Sequence, residues 1–547
     1  MSSAPAIAAT RRARVIDRFL NTVERVGNKL PDPFMLFLLL FGITAVVSTA
    51  MEWADVTVQL PGSDETTKIK GFFTAEGMSW FTQNIGANYL GFPPLATVLP
   101  ILLAVGVAEK SGLLAASIRK AFGSAPRWSL PYAVAFVGVM GSIMSDAAFV
   151  VIPPLAALVF KAAGRHPVAG LLGGFAAVGA GYSTSMLVTS LDALFAGITT
   201  AVTASLPNAG SAVTPVSNYF FNFVSSIVLT LVAGFIIDKV LEPRISRQGI
   251  SRDEIVDKQS GLVAPAALVP TAPVPAAPVS AAPVSTALSA KLTATEQRGL
   301  VWALVAGVLV AIVIVIGALL PDSPWRNDDG GYLPKSPLLS SIVFIVFALF
   351  VVPGLVYGKI TGSIHSGKDV PRVMGQALKD MSGFLVLAFI LGQFIALFNF
   401  SGIGNWIAVA GASGLEAIGL TGYSAIIGFI LLASLLNLFI ISGSAMWTLM
   451  AAVFVPMFAL LGYEPAFIQG AFRVGDSATQ VLTPLNPYMI VLLAMLRKYE
   501  PQAGLGTVIA RMLPFAVTFW FAWVGVLTVF YFFDLPMGPG NGILIPQ

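Results

Sequence analysis

The sequence contains no cysteine and only two histidines among 547 residues, and just 11% of its residues are charged. Without cysteine there is no structural disulfide, no thiolate chemistry and no cysteine-based metal site. The histidines, His166 and His365, stand in polar connections near Arg165 and Lys368. They are expected on loop surfaces, not in a membrane-buried proton relay. Soluble domains carry roughly 25% charged residues; this chain is instead 56% hydrophobic with a mean hydropathy of +0.84, which excludes an ordinary soluble globule. The net charge of +4 is small and its basic residues are scattered between apolar segments, so no nucleic-acid partner is expected. No G-x-x-x-x-G-K-[ST] stretch occurs, leaving ATP without a binding motif. Arg11, Arg12, Arg14 and Arg18 are not followed by an apolar core and a small-residue cleavage site, so a cleaved signal peptide is not expected.

What is present is a succession of apolar segments, and the expected fold class is an all-α polytopic membrane protein. At about 1.5 Å per residue, segments 34–51 and 93–108 reach across, or nearly across, a hydrocarbon core of roughly 30 Å. The intervening stretch is acidic and free of arginine, whereas the N-terminal residues 1–33 are arginine-rich, which places the N-terminus in the cytoplasm. Segments 130–140 and 147–160 flank G-S-I-M-S-D and have basic residues at both ends, predicting a re-entrant hairpin, HP1, over residues 129–162. Residues 168–203 are broken by G-A-G-Y-S-T-S at 179–185 and predict a discontinuous helix, TM3; residues 216–240 return as TM4 and complete a first half over residues 34–242.

Residues 243–298 form a linker, almost entirely Ala, Pro, Val, Ser, Leu and Thr from 261 to 290, which predicts an extended connection. The second half, 299–533, repeats the first. Segments 299–320, 338–356 and 384–400 are followed by a second hairpin, HP2, over residues 424–462 with its tip at I-S-G-S, then by TM8 over 467–496 and a last span over 512–532. TM8 is expected to break twice, at G-D-S-A-T-Q and at T-P-L-N-P. Residues 534–547 form a tail. With Gly141 set against Gly443, G-S-I-M-S-D-A-A-F-V-V-I-P-P-L-A-A-L falls on G-S-A-M-W-T-L-M-A-A-V-F-V-P-M-F-A-L. About nine transmembrane helices and two hairpins follow, arranged as an inverted-topology repeat. Interrupted segments at matching places in two halves mark the binding site of secondary transporters.

Several residues at these interruptions carry chemistry. Asp192 lies within an apolar run, where a charge costs roughly 2.5 to 3.5 kcal/mol on insertion scales; it is either a functional carboxylate or one that holds helices together. Arg473 and Asp476 stand three residues apart, either as an intrahelical ion pair or as a substrate-carboxylate ligand beside a proton- or cation-binding aspartate. Ser142 and Ser444, next to Gly141 and Gly443, sit at matching tips, either as ligands for a carboxylate or Na⁺ or as helix N-caps. Ser183 and Ser477 are further hydroxyls near a possible Na⁺ position. Trp447 follows the HP2 tip, placed to stack on an aromatic substrate or to anchor at the membrane interface. Asp146 is either a coupling residue or a water-facing one. Pro465, Pro484 and Pro487 are expected to break helices.

The runs S-G-S-A-M-W, E-P-A-F-I-Q-G-A-F-R-V-G-D-S-A-T-Q-V-L-T-P-L-N-P-Y and G-S-I-M-S-D-A-A-F-V-V-I-P-P resemble the AbgT family, the p-aminobenzoyl-glutamate transporters. The resemblance covers nearly the whole chain apart from the Ala/Pro linker. It implies a homodimer with nine transmembrane helices and two hairpins in each protomer, and it points to Asp192, Ser444, Trp447, Pro465, Arg473, Asp476 and Pro484 as functional positions. It also implies a small-molecule substrate and two activities, uptake of p-aminobenzoyl-glutamate and export of sulfonamide antimetabolites. The expected protein is therefore not an enzyme but an ion-coupled secondary transporter of a bacterial cytoplasmic (inner) membrane. It needs no cofactor beyond H⁺ or Na⁺ as coupling ion. A Na⁺-coupled carboxylate importer and a passive channel are the alternatives on the same scaffold.

Overall fold

The computed structural model describes residues 31, 33–59, 66–123, 125–144, 147–204, 206, 210–252, 292–320, 322–333, 336–419, 422–440 and 442–546. The arginine-rich N-terminus, most of the Ala/Pro linker and Asp146 lie outside these residues. The described chain is helical apart from a small antiparallel pair, β1 (Thr57–Gln59) with β2 (Thr66–Lys68). In chain order the helices begin with α1 (Pro33–Trp53), α2 (Ala75–Leu90), α3 (Pro93–Lys110), α4 (Leu113–Gly123), α5 (Leu130–Val139), α6 (Ala147–Ala162), α7 (Pro167–Ala180), α8 (Ser190–Thr203) and α9 (Tyr219–Phe235). After the linker come α10 (Ala294–Leu319), α11 (Ile342–Thr361), α12 (Asp369–Asp380), α13 (Ser382–Ser401), α14 (Ile403–Ala417), α15 (Tyr423–Leu436), α16 (Gly443–Leu460), α17 (Pro465–Thr479), α18 (Pro487–Arg497) and α19 (Leu505–Phe532). Eight helical stretches among the described residues are long and apolar enough to cross a membrane; the chain is an all-α polytopic membrane protein.

The interruptions have local causes. Between α5 and α6 the chain makes a 3₁₀ turn over Met140–Met144. TM3 is interrupted from 181 to 189, and α8 restarts with a capping box: Thr189 accepts from the Asp192 amide and the Asp192 carboxylate accepts from the Thr189 amide. TM8 departs from expectation. Gly475–Thr479 continues α17, and its one interruption in this region lies at 480–486. Pro465 and Pro487 each occupy the first helical position, where proline's missing N–H is not needed, so they start helices instead of breaking them. Pro484 alone of the three sits in the interruption.

Other expectations also shift. The acidic stretch after α1 contains α2, whose Asn88 reaches Gln393 of α13 at 3.0 Å. The segment assigned to the linker is helical at both edges: α9 rolls through a π turn (Ile236–Leu241) into Glu242–Arg247, and α10 starts at Ala294 behind a Thr293–Glu296 capping box. His166 is not a surface residue. It is 1% exposed, with Nε2 3.1 Å from the Ile250 carbonyl. Arg165 beside it pairs with Asp238 and Glu242 at the end of α9, and this closure buries the imidazole. His365 is exposed as expected.

Helix α7 packs against both α5 and α6, while α17 is enclosed by α15, α16 and α19. Glycine permits both approaches, as expected where helices associate in apolar surroundings without a hydrophobic drive. A Cβ on Gly181 would lie 2.3 Å from the Val139 carbonyl oxygen, and one on Gly475 would lie 2.5 Å from the Ala433 Cβ. Helix α8 contacts α3 on one side and α16 on the other, so the restart of TM3 is central to the bundle.

Gly181→Ala forces a methyl into backbone that cannot yield, at a cost of about 1–3 kcal/mol. Its thermal unfolding midpoint in detergent is expected below wild type, whereas Gly86→Ala, with nothing within 4 Å of the added methyl, is expected to match it.

Candidate functional site

The TM3 interruption and α17 cross in the interior, and the polar residues meet there. Arg473 is 1% exposed. Its Nη1 lies 2.8 Å from Asp192 Oδ1 and donates to the Ser183 carbonyl at 2.7 Å, and its Nε donates to Asn218 Oδ1 at 3.1 Å. Asp192 is fixed from behind. Its Oδ2 accepts from the Thr189 amide and hydroxyl, both at 2.8 Å, and its Oδ1 accepts from Asn222 Nδ2 at 3.1 Å. The Arg473 partner is therefore Asp192 across the helix crossing, not Asp476 on its own helix.

Asp476, fully buried, faces the other side of the same interruption. Ser183 Oγ donates to its Oδ2 at 2.9 Å, while the Ser183 amide donates to Ser477 Oγ at 3.1 Å. Ser183 thus engages Arg473, Asp476 and Ser477 through its carbonyl, hydroxyl and amide. Asp476 Oδ1 has no hydrogen-bond partner, and neither has Asn437 Oδ1, although Asn437 Nδ2 donates to the Asp476 carbonyl. Gly443, at the start of α16, brings the hairpin turn onto this carboxylate. A Cβ there would lie 3.3 Å from Asp476 Oδ2 and 2.9 Å from the Tyr182 ring.

Aromatic side chains cover one flank of the ion pair. The Arg473 guanidinium lies 5.1 Å from the Phe195 ring centroid, Phe195 meets Phe472 edge-on at 5.5 Å, and Trp447 lies 4.6 Å from Phe472. Trp447 is 0% exposed, and its indole N–H donates to Thr199 Oγ1 and the Phe195 carbonyl. This interior placement removes the interface-anchor reading. A guanidinium beside a set of aromatic rings has the chemistry to hold an aromatic carboxylate, through charge-assisted hydrogen bonds and face contacts.

The remaining predicted residues lie at varying distance from this centre. Ser142 is buried in the first turn and donates to the Thr184 carbonyl at 3.4 Å. Ser444 is not a helix cap; Ser442 caps α16 through the Ala445 amide, and Ser444 Oγ lies 3.1 Å from Ser442 Oγ. Pro465 starts α17 and Pro484 lies beyond its end. Among the described residues no cluster of three His, Cys, Asp or Glu side chains forms a metal centre. Sequence reasoning missed Asn218, Asn222, Gln469 and Asn437. Gln469 sits within reach of Thr199 (2.6 Å) and Asn218 (2.8 Å), with Arg473 Nη2 3.2 Å away. Asn218 and Asn222, one turn apart at the start of an apolar helix, were a usable signal.

Irregular backbone holding buried charge at the crossing of interrupted helices is an arrangement found at the binding sites of membrane transporters. Residues 18–266 and 279–545 match the family model described as "AbgT putative transporter family", and the chain belongs to this AbgT family of transporters. It is 36% identical over 518 residues to the p-aminobenzoyl-glutamate transport protein of Escherichia coli (strain K12), covering 95% of each chain. Among solved structures it resembles the Alcanivorax borkumensis YdaH transporter, with a TM-score of 0.83 and 33% identity over 93% of this chain and all of that one. It also resembles Neisseria gonorrhoeae MtrF, described within a class of antimetabolite efflux pumps. There the TM-score is 0.83 and the identity 35%, over 96% of this chain and all of MtrF.

Removing one partner of a buried ion pair costs roughly 3–5 kcal/mol because the other charge is stranded. Arg473→Gln and Asp192→Asn are each expected to lower stability in detergent denaturation by that order, and the double variant by less than their sum. Additive losses would mean that the two charges do not stabilise each other.

Proposed function

We propose that the chain is an ion-coupled secondary active transporter of p-aminobenzoyl-glutamate or related aminobenzoyl compounds, and that it also exports sulfonamide antimetabolites, which are p-aminobenzoate analogues, by H⁺ antiport. It works as a homodimer in a bacterial cytoplasmic membrane with its N-terminus inside. The observation that carries this reading is Arg473, paired with the Asp192 carboxylate and lying over the Phe195 ring, which packs in turn on Phe472 and Trp447. The named activity of the E. coli relative and the efflux class of MtrF support the same substrate chemistry.

On this reading the site works by exchange. With no substrate, Asp192 neutralises Arg473. A substrate carboxylate competes for the same guanidinium donors, and the aromatic rings favour the competitor whose carboxyl comes attached to a flat ring system. Once displaced, Asp192 is a buried anion without its cation, a costly state relieved by taking up a proton. Substrate release on the other side restores the pair and returns the proton. Proton binding and substrate binding are then linked through one guanidinium. The two hairpins and two interrupted helices form the moving part, presenting this centre alternately to the two faces.

One observation favours a second coupling ion. Asp476 Oδ1 is buried without a partner, while its Oδ2 accepts from the Ser183 hydroxyl and the Ser183 amide donates to Ser477 Oγ; hard oxygen ligands of this kind suit Na⁺. Ser142, in the turn before α6, and Ser444, in the first turn of α16, are the further hydroxyls of this reading.

Purified protein in liposomes, given labelled p-aminobenzoyl-glutamate or a labelled sulfonamide under separately imposed pH and Na⁺ gradients, tests both. A pH gradient is expected to drive accumulation that disappears in Asp192→Asn, with binding of the anion retained. Accumulation driven by Na⁺ alone and lost in Asp476→Asn would assign coupling to the second carboxylate. Equilibration indifferent to both gradients would defeat the transporter reading in favour of a passive pathway.

A further inference from the structure

The chain after α19 does not trail away. Residues 535–545 fold back as a strap across the ends of α9 and α17. The Met537 carbonyl accepts from the Phe221 amide at 3.1 Å, the Ile543 carbonyl accepts from the Glu464 amide at 2.9 Å, and the Ile545 amide donates to the Gly462 carbonyl at 2.8 Å. Asn541 closes the turn inside the strap, accepting from the Met537 amide at 2.9 Å. Glu464, 1% exposed at the start of α17, accepts from the Ser211 amide and hydroxyl, joining the loop before α9 to the same end.

Met537 inserts deeply from the strap against α17. It is 0% exposed, and its Cε lies against Gly470, where a Cβ would be 2.3 Å away. The same spot on Gly470 is 3.5 Å from Asn218 Nδ2 and 3.7 Å from the Phe221 ring. Gly470 is one helical turn before Arg473. Asn218 donates to the Ala466 carbonyl at 2.7 Å and accepts from Arg473 Nε at 3.1 Å. The Met537 thioether therefore fills the gap between α17 and the beginning of α9, at the point where Asn218 bridges them. Glycine at 470 leaves room for it, and methionine is suited to an irregular gap.

We propose that the C-terminal strap belongs to the substrate site, with Met537 a positioning residue that holds Arg473 through Asn218. Asn218 is the polar bridge between the two helices, with the Gln469 amide 2.8 Å from its Oδ1 beside Arg473. Its amide is shared between a backbone carbonyl and a guanidinium on one helix, while its own backbone opens another. Without the wedge a space opens beside Asn218, its bridge from α9 to Ala466, Gln469 and Arg473 is held less tightly, and the Arg473 guanidinium, still met by Asp192 and Ser183, is oriented less well. The inference rests on the reading that Arg473 receives the substrate carboxylate. It adds that a segment remote in sequence determines how well the anion is bound.

The test is transport kinetics in liposomes with p-aminobenzoyl-glutamate. Met537→Ala is expected to raise KM about tenfold while the maximal rate per monodisperse protein stays within about twofold, since binding and not the rate of the moving step is loosened. Met537→Leu, which refills the gap, is expected to bring KM back to near the wild-type value. An unchanged KM in Met537→Ala overturns the inference, as does a maximal rate that falls in step with the folded fraction while KM stays put. Should Met537→Ala not fold, Met537→Val, which shortens the wedge without emptying the space, replaces it. Its KM is expected to be raised, by less than about tenfold, and a wild-type KM overturns the inference. Arg473→Gln separates the two layers. If it leaves KM unchanged, the reading of the site fails and takes the strap with it; if it abolishes binding while Met537→Ala changes nothing, only the strap inference fails.

Discussion

A full positive charge inside a membrane protein has to be met by a carboxylate and by hydrogen-bond acceptors, because neither lipid nor apolar side chains can solvate it. Arg473 is that charge, and the crossing of TM3 and α17 is arranged around meeting it. Asp192 supplies the countercharge from the third position of α8, where it also completes the capping box with Thr189. One carboxylate thus starts a helix and neutralises a cation. It performs both only if TM3 is interrupted before it, and the interruption in turn frees the Ser183 carbonyl that Arg473 uses as a second acceptor. The break in the helix and the buried arginine each require the other.

The second carboxylate changes the balance of charge. Asp476 lies on the same helix as Arg473 but turns to Ser183 Oγ, while Arg473 turns to Asp192. One guanidinium against two carboxylates leaves the crossing with an excess of negative charge whenever both acids are ionised. Such a centre attracts one further cation, a proton or Na⁺, and an anionic substrate at Arg473 increases that demand. On the proposed function this is the source of coupling: anion and cation stabilise each other's presence in a volume where neither is stable alone.

Much of this was legible in the sequence because membranes penalise exceptions. The broken apolar run at 179–185 and the charges at Asp192, Arg473 and Asp476 stand out against their surroundings, and all fall at the crossing. The pairing itself was not legible. Spacing along one helix joins Arg473 to Asp476, whereas the structure joins it to Asp192, because register between distant helices depends on close approaches such as Gly475 on Ala433. Pro465 and Pro487 suggest breaks because their residue type forbids helix interiors, yet the first turn accepts them. Trp447 allowed an interface position until packing against Phe472 removed it from the surface. His166 looked polar and exposed because the segment that buries it, ending at Ile250, comes from a different part of the chain.

The two hairpins meet the site differently, and the difference bears on how movement could reach it. The turn of HP1 touches the TM3 interruption through Ser142, which donates to the Thr184 carbonyl. The turn of HP2 touches it through Gly443, packed on Tyr182 and on the Asp476 carboxylate. Both turns therefore bear on residues 182–184, a stretch whose backbone is not committed to a helix. Ser183, between those two contacts, holds Arg473 with its carbonyl and Asp476 with its hydroxyl. On the proposed function, displacing either turn would shift an immediate neighbour of Ser183, and with it the acceptor at Arg473 and the donor at Asp476. The interruption is thus the common element through which both hairpins and both charged groups act on one another, and a regular helix there would have separated them.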